Sequence, residues 1–78
     1  MEVEKTELEY RDGNSDKVYN AYIMKYDDGY QVVFTYGKRY NANNRISKPD
    51  HAVSYAEASA IYNEMVAKKR KKGYVDRY

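Results

Sequence analysis

The 78-residue chain contains no cysteine and no tryptophan, and it has only one proline, one phenylalanine and one histidine. Without cysteine the protein can form neither disulfides nor thiolate metal sites, which fits a reducing compartment and leaves packing as its source of stability. No apolar run approaches the roughly 20 residues that a membrane-spanning helix needs, and the acidic start Met-Glu-Val-Glu does not look like a secretion signal. We therefore expect a cytoplasmic protein with no membrane association.

The residues that most enzymes use are equally scarce. There is no Gly-x-x-x-x-Gly-Lys-Ser/Thr phosphate loop, and His51 next to Asp50 is expected to be a solvated residue of a strand edge rather than a catalytic base. The aspartates of the first 30 residues suit turns, and their spacing fits no calcium-binding EF-hand loop. We expect no catalysis, no cofactor and no metal site.

Tyrosine and unevenly distributed charge are what the chain has in abundance. Its eleven tyrosines each combine a large ring with a polar tip, which suits half-wet cores, interfaces or surfaces that stack on nucleic acid. Residues 1–35 carry four Lys/Arg against eight Asp/Glu, whereas residues 36–78 carry ten against four. This asymmetry indicates a half that faces a polyanion, although cations at a helix end can also simply complement the helix dipole.

The length and the residue pattern predict one small domain over residues 1–78, with an ordered core over about 5–75. Alternating apolar and polar residues predict three clear strands and two short ones. These cover about residues 5–10, 18–26, 30–36, 44–47 and 51–53. Pro49 is expected to end the strand before it.

The turn between the second and third predicted strands has two possible lengths. A three-residue turn of Asp-Asp-Gly pairs Tyr22 with Phe34 and gathers six large side chains on one face. A two-residue turn at Asp28-Gly29 mixes polar and apolar partners across the strands. We therefore expect the three-residue turn.

A helix is predicted to begin after Ser54, because Ser54-Tyr55-Ala56-Glu57 has the pattern of a capping box. The helix should end at Gly73, after a run of five cations. Its apolar stripe, at helical spacing, consists of Ala58, Ile61, Tyr62, Met65 and Lys69. The expected fold class is α+β, a small antiparallel sheet of three to five strands with one C-terminal helix packed on it.

The order of these features resembles the WGR domain, a family named for its Trp-Gly-Arg motif, over about residues 6–74. The segments that carry the resemblance are Asp16-Lys17-Val18-Tyr19, Tyr36-Gly37-Lys38, Ser54-Tyr55-Ala56-Glu57-Ala58 and Lys71-Lys72-Gly73-Tyr74. That family has an antiparallel sheet with one helix and binds nucleic acid in poly(ADP-ribose) polymerases, where the motif Trp stacks at a DNA end. The resemblance implies that Tyr36 takes the stacking position and Lys38 the Arg position, with Arg39 as a possible substitute for the guanidinium.

Rings that stack and cations that neutralise phosphate make a nucleic-acid-binding surface. We therefore expect a non-catalytic nucleic-acid-binding module, with DNA as the expected ligand, that binds through an aromatic and basic strand edge. The predicted binding residues are Tyr36, Lys38, Arg39, Tyr40, Arg45, Lys48, Lys69, Arg70 and Lys72.

The alternative is a protein-interaction or homodimerisation module that does not bind nucleic acid. Exposed tyrosines are common anchors of protein interfaces. In the expected register, Ile23 and Val33 line the sheet face opposite the helix, where a partner or a second copy could cover them.

Overall fold

The chain forms a five-stranded antiparallel sheet with one α-helix packed on it, in a computed structural model that describes residues 1–39 and 41–77. The elements are β1 (Glu2–Asp12), β2 (Ser15–Tyr26), β3 (Gly29–Lys38), β4 (Asn41–Val53), α1 (Tyr55–Lys71) and β5 (Val75–Asp76). The strands lie in the order β4-β3-β2-β1-β5. The predicted α+β class is confirmed. In the part of the chain that the structure describes, no helix is long and apolar enough to cross a membrane.

The turn between β2 and β3 differs from the prediction. It contains only Asp27 and Asp28, and Tyr26 pairs directly with Gly29. Gly29 has a φ of 141°, and a Cβ atom at this position would lie 2.7 Å from the carbonyl oxygen of Val53 in β4. The close approach of β4 therefore requires glycine at the first residue of β3.

The shorter turn changes which side chains face α1. Ile23 pairs with Val32 and Tyr22 with Val33, so Ile23 lies in the core beneath the helix and is fully buried. The expectation that Ile23 faces away from the helix was wrong. An aliphatic side chain has no polar atom to hydrate, whereas a tyrosine at the same depth must keep its hydroxyl satisfied. The free energy gained by burying Ile23 therefore exceeds that of pairing the rings of Tyr22 and Phe34, on which the prediction was based.

β4 is a single strand of 13 residues, where two short strands were expected. Pro49 does not end this strand, because β4 lies at the edge of the sheet. One side of an edge strand has no neighbouring strand, so a proline whose nitrogen faces that side costs no hydrogen bond. The pairing of β3 with β4 shifts between Tyr30 and Val32. Across this irregularity, Gln31 Nε2 donates a hydrogen bond to the Pro49 carbonyl oxygen at 2.7 Å.

The helix begins and ends as predicted. The Ser54 Oγ accepts a hydrogen bond from the Glu57 amide at 3.2 Å, and the chain turns away at Gly73 with a φ of 105°. The predicted stripe faces the sheet, with Val66 as an additional buried residue. Together with β1, β2 and β3 it encloses a core whose buried members are Leu8, Tyr19, Ala21, Ile23, Val32, Phe34, Ala58, Tyr62 and Val66.

Two arginines bond polar side chains on the sheet face that α1 leaves free. Arg39 reaches across β2 and bonds both Asp16 and Glu9, each at 2.9 Å. From the opposite edge of the sheet, Arg77 bonds Glu7 at 2.7 Å and Asn20 at 2.9 Å.

Two valines of this face are closed to solvent. Val18 and Val33 are each only 2% exposed, and Val33 lies on this face as expected because it is the cross-strand partner of Tyr22. Ile23 and Val33 therefore do not form the exposed apolar docking surface that the homodimer alternative requires.

Candidate functional site

Three adjoining cavities lie between the last turns of α1, the start of β2 and the end of β3. The two on the β3 side have volumes of about 310 Å³ and 290 Å³, and Lys69 lines all three. We call them together the tyrosine cleft. Its lining residues are Tyr10, Lys17, Tyr19, Phe34, Tyr36, Gly37, Lys38, Ile46, Lys48, Met65, Lys69, Lys72 and Tyr74.

Tyrosine rings form the floor and one wall of the cleft. Tyr19 lies at the bottom and is 4% exposed. Its cross-strand partner Tyr36 stacks beside it, with ring centroids 6.3 Å apart and an angle of 28° between the planes. The chain reverses at Gly73, and Tyr74 then packs its ring edge-on against Tyr19 at 6.3 Å and contacts Tyr10 at 5.4 Å. Tyr36 and Tyr74 are only partly buried, so both rings remain accessible from the cleft.

Five lysines surround these rings. Lys17 and Lys38 are direct partners in the β2–β3 ladder, and side chains of such partners project to the same face. Like charges in this arrangement are destabilising. The Lys69 Nζ lies 4.8 Å from the centroid of Tyr19 and 5.5 Å from that of Tyr74, a cation–π arrangement. Lys48 and Lys72 stand at the two ends of the cleft.

The cleft lysines lack compensating carboxylates. Among residues 1–39 and 41–77, no Asp or Glu lines the cavities, and none forms an ion pair with a cleft lysine. The acidic residues Glu7, Glu9 and Asp16 lie instead on the opposite face with Arg39 and Arg77. In this region the two faces of the sheet therefore differ in charge: the cleft face carries unpaired lysines, and the opposite face carries the carboxylates, which are paired with arginines.

The cleft shifts the pKa of two of its ionisable groups. Burial, together with the neighbouring Tyr36 and Tyr74, raises the pKa of Tyr19 to about 12. Burial, followed by the charges of Lys72 and Lys17, lowers the pKa of Lys69. A bound anion would offset the repulsion from the two other lysines and favour the charged form of Lys69.

Five predicted binding residues lie in the cleft: Tyr36, Lys38, Lys48, Lys69 and Lys72. Three others lie elsewhere. Arg39 is held on the opposite face by Asp16 and Glu9, Arg45 shares that face as the partner of Thr35, and Arg70 forms a two-bond ion pair with Asp76 of β5. Tyr40 lies outside the described residues.

The strand that carries Tyr36 and Lys38 is not an edge strand of the sheet. β3 lies between β2 and β4 in the sheet, and Tyr36 and Lys38 are at its C-terminal end. The ends of two interior strands, closed on one side by α1, form a cleft rather than an exposed edge. The aromatic and basic composition was predicted, but this concave shape was not.

Sequence reasoning also missed Lys17 and Tyr19 as members of the site. A signal was present, because Lys17 and Tyr19 are two residues apart, as are Tyr36 and Lys38. Side chains at this spacing share one face of a strand. If the register had been known, the two pairs would have been recognised as one cluster of two rings and two cations.

The chain was compared with protein-family models, with curated proteins and with solved structures, and none of them matches it. The function is therefore inferred from the residues of the cleft.

Proposed function

We propose that this protein is a non-catalytic nucleic-acid-binding module that binds DNA through the tyrosine cleft. The observation that carries the proposal is the combination, in one concave site, of four tyrosine rings and five lysines with no carboxylate among the described lining residues. Rings stack on bases or sugars, and ammonium groups neutralise phosphates.

The cross-strand pair of Lys17 and Lys38 supports an anionic ligand in particular. Two cations that lie directly opposite each other destabilise a sheet. Both side chains are exposed, so neither offsets this cost by packing in the hydrophobic core. A phosphate placed between them removes the repulsion and releases condensed counterions from the nucleic acid. The cost to stability in the free protein is thus recovered when the ligand binds.

The resemblance to the WGR family points to the same part of the molecule. It puts Tyr36 at the position of the Trp that stacks at a DNA end and Lys38 at the Arg position, and both residues line the cleft. Arg39, which the resemblance offers as a substitute guanidinium, makes its ion pairs on the other face. The proposal therefore relies on Lys38 and excludes Arg39.

Fluorescence anisotropy with labelled DNA, single-stranded and duplex, at two salt concentrations tests the proposal. We expect binding at low salt that weakens steeply as salt rises, and a double variant with Lys17→Gln and Lys38→Gln should reduce the slope of log K against log salt by about 1.4 to 1.8. The matched control replaces Lys25 and Lys71, two exposed lysines outside the cleft lining, with Gln. Absence of binding to every DNA at low salt, or equal loss in the control, would refute the proposal.

The alternative of a protein-interaction or homodimerisation module stays a prediction. Its expected surface is not available, because Ile23 and Val33 are both buried. A Val33→Lys variant would place an unpaired charge in a site that is 2% exposed, and we expect it to unfold rather than to alter association. Size-exclusion chromatography with light scattering, applied to the unchanged protein, tests the alternative directly.

A further inference from the structure

We infer that the ligand of the tyrosine cleft is single-stranded DNA, whose bases stack within the cleft, rather than a DNA duplex. This inference rests on the proposed function and specifies the substrate of the same site. It follows from the depth of the rings, the length of the cleft and the placement of the lysines along it.

The rings that a base can reach lie inside the cleft. Tyr19 at its floor is only 4% exposed and has Lys69 over it, so the accessible rings are those of Tyr36 and Tyr74, which are partly buried beside Tyr19. In the interior of a duplex the faces of the bases are already stacked on one another, so apart from its two ends a duplex offers phosphates and base edges but no free face. An unpaired base can leave its neighbours and insert a face beside an aromatic side chain.

The length of the cleft suits a short run of nucleotides. Its lining crosses the sheet from Lys48 of β4, past Tyr36 and Tyr19, to Tyr10 of β1. Neighbouring strands are about 4.8 Å apart, which gives about 14 Å across the sheet. Lys48 is level with Val32, and Tyr10 is level with the Lys17–Lys38 pair, about 20 Å further along the strands, so the diagonal path is about 25 Å long. At about 3.4 Å for each stacked nucleotide, it accommodates about seven nucleotides of one strand.

The lysines follow the same path and flank it. Lys48 stands at the β4 end, Lys17 and Lys38 lie at the strand ends beside the rings, and Lys69 and Lys72 project from α1 and the residue after it. A backbone that runs along the cleft can therefore meet a cation at successive phosphates. A single strand then gives a slope of log K against log salt of about −0.7 for each neutralised phosphate, or about −2 to −3.5 for three to five contacts.

The test compares fluorescein-labelled oligo(dT) of two, four, six and twelve nucleotides with a blunt 12-base-pair duplex at low salt. We expect affinity to rise up to about seven nucleotides and then to increase only slowly, and the twelve-nucleotide strand to bind at least tenfold more tightly than the duplex. Tyr36→Leu should weaken oligo(dT) binding by about 5- to 150-fold, which is the worth of one stacked base, and leave duplex binding nearly unchanged. Tyr26→Leu is the matched control, since Tyr26 is 40% exposed and lies at the opposite end of β2.

The outcomes separate the two proposals. Duplex binding that equals or exceeds oligo(dT) binding, or a Tyr36→Leu variant with unchanged oligo(dT) affinity, overturns the inference about single strands while the proposed DNA binding stands. No binding to either probe overturns both. Circular dichroism of each variant shows whether lost binding reflects lost folding.

Discussion

Lys38→Glu should move folding stability and DNA binding in opposite directions. Lys38 is the cross-strand partner of Lys17, so the substitution replaces a repulsive pair with an attractive one. Opposite charges at such positions contribute about 0.2 to 1 kcal/mol, and like charges cost a similar amount. Both side chains are exposed, which favours the lower part of the combined range, about 0.5 to 1 kcal/mol.

For a domain of this size, that gain corresponds to a rise in Tm of about 2 to 8 °C. Thermal unfolding followed by circular dichroism measures it at low salt, where the repulsion is least screened. The same variant should bind oligo(dT) at least tenfold more weakly, because one phosphate contact is lost and a carboxylate is placed in the cleft. Its slope of log K against log salt should fall by about 0.7 or more.

Lys25→Glu is the matched control for net charge, since each substitution changes the formal charge of the chain from +2 to 0. Lys25 is exposed and pairs with Tyr30, so its replacement should change the free energy of unfolding by no more than about 0.5 kcal/mol. A Lys38→Glu protein with a lower Tm than this control would show that Lys17 and Lys38 do not repel each other in the fold, and the electrostatic basis of the proposed function would be lost.

Three further outcomes follow from the geometry. Gly29→Ala should cost about 2 kcal/mol or more in urea unfolding, because its Cβ would lie 2.7 Å from a β4 carbonyl oxygen at a φ of 141°. Gly13→Asn, at a φ of 59° with open space around it, should cost much less; similar losses would contradict the assigned contact. The hydrogen bond from Arg39 lowers the pKa of the Asp16 carboxyl group. The stability that this ion pair adds is therefore present above the ordinary aspartate pKa of 3.8, and it is lost as the pH falls through the lower pKa that Asp16 has in the folded protein. The Tm of Asp16→Asn should therefore decline less on acidification than that of the unchanged protein, and parallel curves would argue against this ion pair. Because burial lowers the pKa of Lys69 below its ordinary value of 10.5, oligo(dT) affinity should begin to decline at a lower pH in the unchanged protein than in Lys69→Arg, whose guanidinium stays charged; coincident curves would exclude Lys69 as a phosphate contact.

Local features of the chain were sufficient to predict the helix and most of the strands. The cap at Ser54 and the stop at Gly73 depend on neighbours only three or four residues away, and both are present in the structure. The strand alternation likewise appears within a few residues. Pro49 was misread because its effect depends on whether its strand lies at an edge, and strand order is not a local property.

The candidate site contains some of the residues that the sequence singled out and lacks others. Tyr36 and Lys38, which stand in one recognisable segment, both line the cleft. Arg39 is the next residue, yet it lies on the other face, where Asp16 and Glu9 hold it. Neighbouring cationic residues look equivalent in a sequence, and only their contacts in the folded protein distinguish them.

The residue order alone thus sufficed for the α+β class, the helix boundaries and the excess of cations in the second half of the chain, because each can be read from the sequence without knowing any long-range contact. The concave site depends on folding in three dimensions. The two-residue turn sets the β2–β3 register that places Lys17 beside Lys38, and the reversal at Gly73 returns Tyr74 to the sheet. These contacts join residues that are distant in the chain, and their energies are decided by competition for burial and by charge compensation across the whole fold.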